Sequence, residues 1–172
     1  MPYRRKYVLC LFLLLALQVF GACGQKRNIE NVVVDNQDIF KAEAEDVIAR
    51  YQEDPDAFRE EITVEELQGD SLAILKDTRQ WGENACIYRP AEYGDDTVLV
   101  CTCSATGLLM ATFEWGFYYT QEDTVHLLRN AYVSGELTEG EDGIYRCMEE
   151  GGDNYYNTKK ICEHFYYYET GN

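Results

Sequence analysis

Residues Met110 to Tyr119 alternate without a break. Ala111, Phe113, Trp115, Phe117 and Tyr119 fall on one side of an extended chain, and Thr112, Glu114, Gly116 and Tyr118 on the other. A period of two over ten residues marks a β-strand. Just upstream, Thr97 to Cys103 (TVLVCTC) is β-branched and mostly apolar on both sides, the pattern of a strand buried on both faces. The stretch from Ser104 to Leu109 contains Gly107 and is expected to close a hairpin between these two strands. Asp142-Gly143 and Gly151-Gly152 bracket a further strand over Ile144 to Met148, and Phe165 to Glu169 (FYYYE) reads as a last one.

The first half of the chain has a different period. Phe40, Ala44, Val47, Ile48 and Tyr51 recur at helical spacing, with Asp and Asn ahead of them as caps. Pro55 ends the helix, because the residue before a proline is driven out of the helical region. A short second helix over Asp56 to Glu61 and a capping box at Thr63 and Glu66, ending at Gly69, are expected next. Ser71 to Trp81 fits helix or strand equally. There is no internal repeat. The sum is an α+β domain, helices first and then an antiparallel sheet of about four to six strands.

The N-terminus carries targeting information. Arg4, Arg5 and Lys6 precede an apolar run from Val8 to Leu17, and small residues Gly21 and Ala22 stand before Cys23. A positive start, a short apolar core and small residues at its end form a secretory signal. Ten helical residues cover about 15 Å, half of a bilayer core of about 30 Å, so the run is short for a permanent span. Phe20-Gly21-Ala22-Cys23 resembles the lipobox of bacterial lipoproteins, with Phe20 where an aliphatic residue is usual. The resemblance implies cleavage before Cys23 and a diacylglyceryl thioether on its sulfur. Two acyl chains anchor stably, since each buried methylene contributes about 0.8 kcal/mol. Residues 1–22 are then the signal peptide, 23–35 a tether holding the domain clear of the headgroups, and 36–172 the folded domain, on the extracytoplasmic face of the cell membrane. Ordinary signal-peptidase cleavage, giving a freely secreted protein, is the competing outcome.

The charge narrows the partners. The chain carries 15 Lys+Arg against 31 Asp+Glu, a net −16. Loss of residues 1–22 removes three basic residues and no acid, leaving −19. Such a chain is repelled by nucleic acid and by anionic headgroups, and it suits a basic protein partner. Beyond Cys23 the exported part has Cys86, Cys101, Cys103, Cys147 and Cys162, an odd number that leaves at least one thiol free or paired between chains. None of the spacings is CxxC, so neither a zinc ribbon nor a thioredoxin-type site is indicated. Cys101 and Cys103 share a strand face about 6.5–7 Å apart, a poor match to a disulfide.

No catalytic residue, cofactor or metal site is indicated. The two histidines, His126 and His164, lie beside apolar or aromatic residues and read as packed side chains. The acidic turns Glu139 to Asp142 and Glu149 to Asn154 are oxygen-rich but lack the spacing of a calcium loop. Tyrosines cluster late, at Tyr118-Tyr119, Tyr155-Tyr156 and Tyr166 to Tyr168. Tyr166 and Tyr168 share one strand face while Phe165 and Tyr167 take the other, and the first pair is the candidate binding surface for a protein or a glycan. GFYYTQED (Gly116 to Asp123) and GGDNYYNTKKICEHFYYYE (Gly151 to Glu169) together resemble a pattern in uncharacterised lipoproteins of Gram-positive anaerobes, over about a sixth of the chain. That resemblance implies a shared fold and an envelope location, and it transfers no site. The functional expectation is a lipid-anchored, non-enzymatic recognition domain of immunity or inhibitor type, with a cell-wall glycan module and an envelope hydrolase as alternatives.

One prediction concerns the anchor. Cells grown with a labelled fatty acid should incorporate label into the wild-type chain and none into Cys23→Ala; label retained by the variant would overturn the lipobox assignment.

Overall fold

The computed structural model describes residues 29–55, 62–63, 87–108, 111–129, 131 and 133–172. Residues 29–35 are helical (α1), and after a turn at Asn36 the chain continues as α2, Gln37–Glu53. The strands are β1 Ile62–Thr63, β2 Ile87–Tyr93, β3 Asp96–Leu108, β4 Ala111–Thr120, β5 Thr138–Glu139, β6 Ile144–Met148, β7 Tyr155–Cys162 and β8 Phe165–Gly171. They form one antiparallel sheet in the order β1-β2-β3-β4-β8-β7-β6-β5. The α+β class holds. The strand number exceeds the expected four to six, because β7 and the two-residue strands β1 and β5 carry little pattern of their own.

Both faces of this sheet are covered. On one, α1 and α2 supply Ile29, Val33, Phe40, Ala44, Val47 and Ile48 against Leu99, Cys101, Trp115, Phe117, Tyr119, Phe165 and Tyr167. Phe40 meets Phe117 edge to face, with ring centroids 5.5 Å apart. On the other face, Leu128 and Val133 of an irregular segment, residues 121–137, cover Val98, Val100, Tyr118, Tyr156, Tyr166 and Tyr168. The alternation read from the sequence therefore sorts side chains between two cores rather than between core and solvent.

Two further expectations are corrected. The tether expected over 23–35 cannot run to 35, because residues 29–35 are helical and Ile29 and Val33 are fully buried in the core. Glu30 also binds Lys159 of β7 at 2.8 Å. The spacing of Ile29 and Val33 is one helical turn, but a seven-residue helix offers too little pattern to be distinguished from a spacer. The hairpin loop expected over Ser104 to Leu109 is instead strand as far as Leu108, which pairs with Ala111. Gly107 serves within β3 rather than as a turn. The chain's close approach falls elsewhere: β3 bulges between Thr102 and Ser104, opposite Gly116, where a Cβ would lie 2.0 Å from the Cys101 carbonyl oxygen. Only glycine fits there. Residues 1–28, Cys86 and the helices expected between Asp56 and Trp81 lie outside the described residues, Ile62 and Thr63 of β1 excepted.

Pro90 occupies β2 without conflict. Among the described residues β1 pairs with Ile87 and Tyr88 and none pairs with Pro90 on that side of β2. Among the described residues no helix is long and apolar enough to cross a membrane.

The burial of α1 predicts its energetic weight. Ile29→Ala should destabilise the domain by about 2–5 kcal/mol in denaturant unfolding. Equal stability of Ile29→Ala and wild type would show that α1 is dispensable.

Candidate functional site

The face opposite the helices concentrates the polar chemistry. Segment 121–137 has no regular secondary structure among its described residues, so its main-chain groups need side-chain partners once buried. Tyrosine hydroxyls supply them. The amide of His126 donates to Tyr118 Oη at 3.1 Å, and Tyr156 Oη donates to the His126 carbonyl at 3.0 Å. The Arg129 amide donates to Tyr93 Oη at 2.7 Å, and Tyr166 Oη donates to the Asp123 carbonyl at 2.8 Å. Four tyrosines from four strands thus grip the main chain of one strap.

Two carboxylates fix its start. Asp96, at the beginning of β3, accepts from the Thr120 hydroxyl and from the Gln121 and Glu122 amides, the latter two at 3.1 and 3.4 Å. Its Oδ2 also lies 2.7 Å from His126 Nε2, and since a carboxylate only accepts, that nitrogen carries the proton. The pair is largely enclosed, with side chains 5% and 13% exposed for Asp96 and His126. The His126 ring lies 5.1 Å from that of Tyr93, over which the Arg129 guanidinium sits at 5.5 Å. Asp123 receives Lys160 Nζ at 2.5 Å and the His164 amide at 2.9 Å. Burial would raise the Asp123 carboxyl, but the Lys160 and His164 contacts hold it below the usual carboxylate range. Asp123 and His164 both take left-handed backbone, φ 52 and 67. His164 secures this corner with Nδ1 3.0 Å from the Thr120 carbonyl.

The candidate binding residues Tyr166 and Tyr168 are not on a surface. They share a face, as their spacing implies, but that face lies beneath the strap and leaves them 5% and 0% exposed. Tyr166 stacks on its cross-strand neighbour Tyr118 at 5.2 Å, and Tyr168 donates to Glu114 at 2.7 Å. In this structure neither ring is open to stack on a glycan. Cys101 and Cys103 lie in the helix-side core, Cys147 in the strap-side core and Cys162 is half-buried; Cys147 and Cys162 are free thiols. Cys23 and Cys86 fall outside the described residues. The sequence did not disclose the Asp96–His126 pair, whose members lie 30 residues apart. The only hint was a histidine in an apolar stretch shortly after the aromatic strand.

An Asp–His pair can orient an imidazole for acid–base work, given a nucleophile to act on. Here His126 bonds to Asp96, Tyr118 and Tyr156, and both tyrosine contacts are to its main chain. The geometry assigns the pair to holding the strap. Among the described residues no three metal-ligating side chains converge. A cavity of about 160 Å³ over β7, lined by Ile144, Arg146, Asn157, Lys159, Tyr167 and Glu169, has its charges engaged, Arg146 with Asp142 and Lys159 with Glu30. The Arg146 guanidinium holds Asp142 down at about 2. On α2, both carboxylate oxygens of Glu43 are buried without a hydrogen-bond partner among the described residues. No known protein family, curated protein or solved structure matches the chain.

The enclosed phenols give a pH prediction. Burial pushes Tyr118 up to about 12 and raises Tyr156, Tyr166, Tyr167 and Tyr168 further above the ordinary value of 10. For a group whose folded pKa is raised, the stabilisation is complete below the unfolded value and is lost as pH climbs through the folded one. Stability should therefore hold to about pH 10 and fall above it. Phenolate absorbance should rise in two steps, the second coincident with loss of near-ultraviolet circular dichroism. A single step near the ordinary value with the fold intact would contradict the burial.

Proposed function

We infer that the chain is a lipid-anchored, extracytoplasmic recognition domain that binds a basic protein partner, as an immunity or inhibitor protein does. One observation carries this reading: among the described residues the aromatic rings of the two cores are enclosed, while carboxylates are left outside. Asp35, Asp38, Glu45, Asp46, Glu53 and Asp54 are exposed along the helical layer. Glu136, Glu139, Glu141, Asp142, Glu149, Glu150 and Asp153 are exposed around the β5–β6 edge. With Tyr166 and Tyr168 enclosed, charge rather than aromatic stacking is what this surface offers a partner. Carboxylates spread in this way raise encounter rates with a basic protein and select against acidic ones. The lipobox-like segment supplies the setting, since a tethered binder works at the membrane where its target arrives.

Affinity capture from envelope extracts tests it. A basic protein should be retained at low ionic strength and released as salt shortens the screening length from about 10 Å at 0.1 M to about 3 Å at 1 M. A captured set that is the same at both salt concentrations would remove the electrostatic reading.

A further inference from the structure

The core beneath α1 and α2 draws its buried strand residues from β3, β4 and β8. Where β6 pairs with β7, the same face of the sheet is partly open. Register places Ile144, Lys159 and Tyr167 in one row across β6, β7 and β8, and Met148 opposite Tyr155 in another. Residues four apart on a strand share a face, so both rows lie on the side that carries Tyr167. Met148 is 67% exposed, the most exposed of the large apolar side chains described, and Ile144 and Tyr155 are half-buried. The cavity of about 160 Å³ opens in this patch. Its two cations are already bonded, Arg146 to Asp142 and Lys159 to Glu30, so it offers a partner its walls: Ile144, the Tyr167 ring and the stems of the two cations. That is room for one apolar side chain, since a cavity of about 150 Å³ holds a benzene ring. Exposed carboxylates stand at both ends of β6, Glu139 and Glu141 before it and Glu149, Glu150 and Asp153 in the turn after it.

Charge selects what can cover this face. A second copy, a nucleic acid and an anionic lipid surface each bring negative charge to a chain of net −16. A basic protein is attracted instead, but exposed ion pairs are individually weak, and a partner that stays must also bury apolar area. A sheet face that already carries helices is extended by a further helix laid beside them. We propose that the β6–β7 part of the helix-side face docks an amphipathic helix of the basic partner, which continues the layer of α1 and α2. Its apolar stripe covers Met148 and Ile144 and places one side chain in the cavity, while its lysines and arginines meet Glu141, Glu149 and Glu150. Methionine suits the centre of such a contact, because its flexible thioether adapts to the shape it meets. The inference rests on the reading of the chain as a binder of basic protein, and adds to it the contact surface and the form of the bound segment.

Two synthetic peptides test it at low ionic strength on the purified full-length chain. One is built of leucine and lysine patterned as an amphipathic helix, and the other has the same charge with serine in place of leucine. Affinity and the Met148 methyl resonance are followed together. The leucine peptide should bind roughly tenfold more tightly than the serine peptide and should shift the Met148 signal. Met148→Ser, at an exposed position, should weaken binding of the leucine peptide roughly tenfold. Ile39→Ser, at an exposed apolar position of α2, should leave it unchanged. Equal affinity for the two peptides would overturn this docking surface while leaving the basic-partner reading in place, and that comparison needs no variant to fold. A loss at Ile39→Ser with none at Met148→Ser would do the same. Binding of neither peptide would remove both.

Discussion

A sheet whose strands are apolar on both sides must be covered twice, and among the described residues only one of the covers is regular secondary structure. The second cover is an irregular strap, and burying irregular main chain is costly unless every amide and carbonyl finds a partner. Tyrosine answers that constraint. Its ring fills the core while its hydroxyl, at the end of a rigid side chain, donates or accepts as the local group requires. Tyr118 accepts from the His126 amide and Tyr156 donates to the carbonyl of the same residue. The late cluster of tyrosines is thus an internal bonding device.

Much of the sheet was legible because its residues obey a single local rule. β6 falls between its two glycine turns at the expected bounds, and β4 and β8 have the face assignments that alternation dictates. α2 buries Phe40, Ala44, Val47 and Ile48, the stripe read from spacing. The parts that escaped obey no local rule. β7 carries Asn157, Lys159 and Lys160 in a strand that is central in the sheet, and their polarity suits its partly open face rather than its position. The strap has no period, so nothing in Thr124 to Val133 announces that it lies on aromatic residues. An amphipathic side chain such as tyrosine reads alike whether its hydroxyl meets water or a buried amide. The burial of Tyr166 and Tyr168 follows from tertiary structure alone.

The helix α1 changes how the anchor and the domain relate. Its first described residue, Ile29, is already core, only six residues beyond Cys23. Six residues reach at most about 20 Å when fully extended. Acylation at Cys23 would therefore hold the domain against the headgroup layer rather than clear of it. Lys26 and Arg27 fall within that short connection, the one place where basic residues adjoin each other near the anchor point. They would offset locally the repulsion between an acidic domain and anionic lipid.

Enclosing the aromatics and exposing the carboxylates has a consequence for specificity. A tyrosine surface gains contact area from almost any partner with a flat apolar patch, whereas a carboxylate surface gains little from one that brings no opposite charge. Exposed ion pairs are individually weak, contributing about 0–1 kcal/mol each. On the proposed reading, such a domain discriminates by the number and layout of charges it meets at once, and only a partner with a matching basic patch satisfies several together. As long as Tyr118, Tyr156 and Tyr166 are bonded to the chain's own backbone, their hydroxyls are withheld from any other chain.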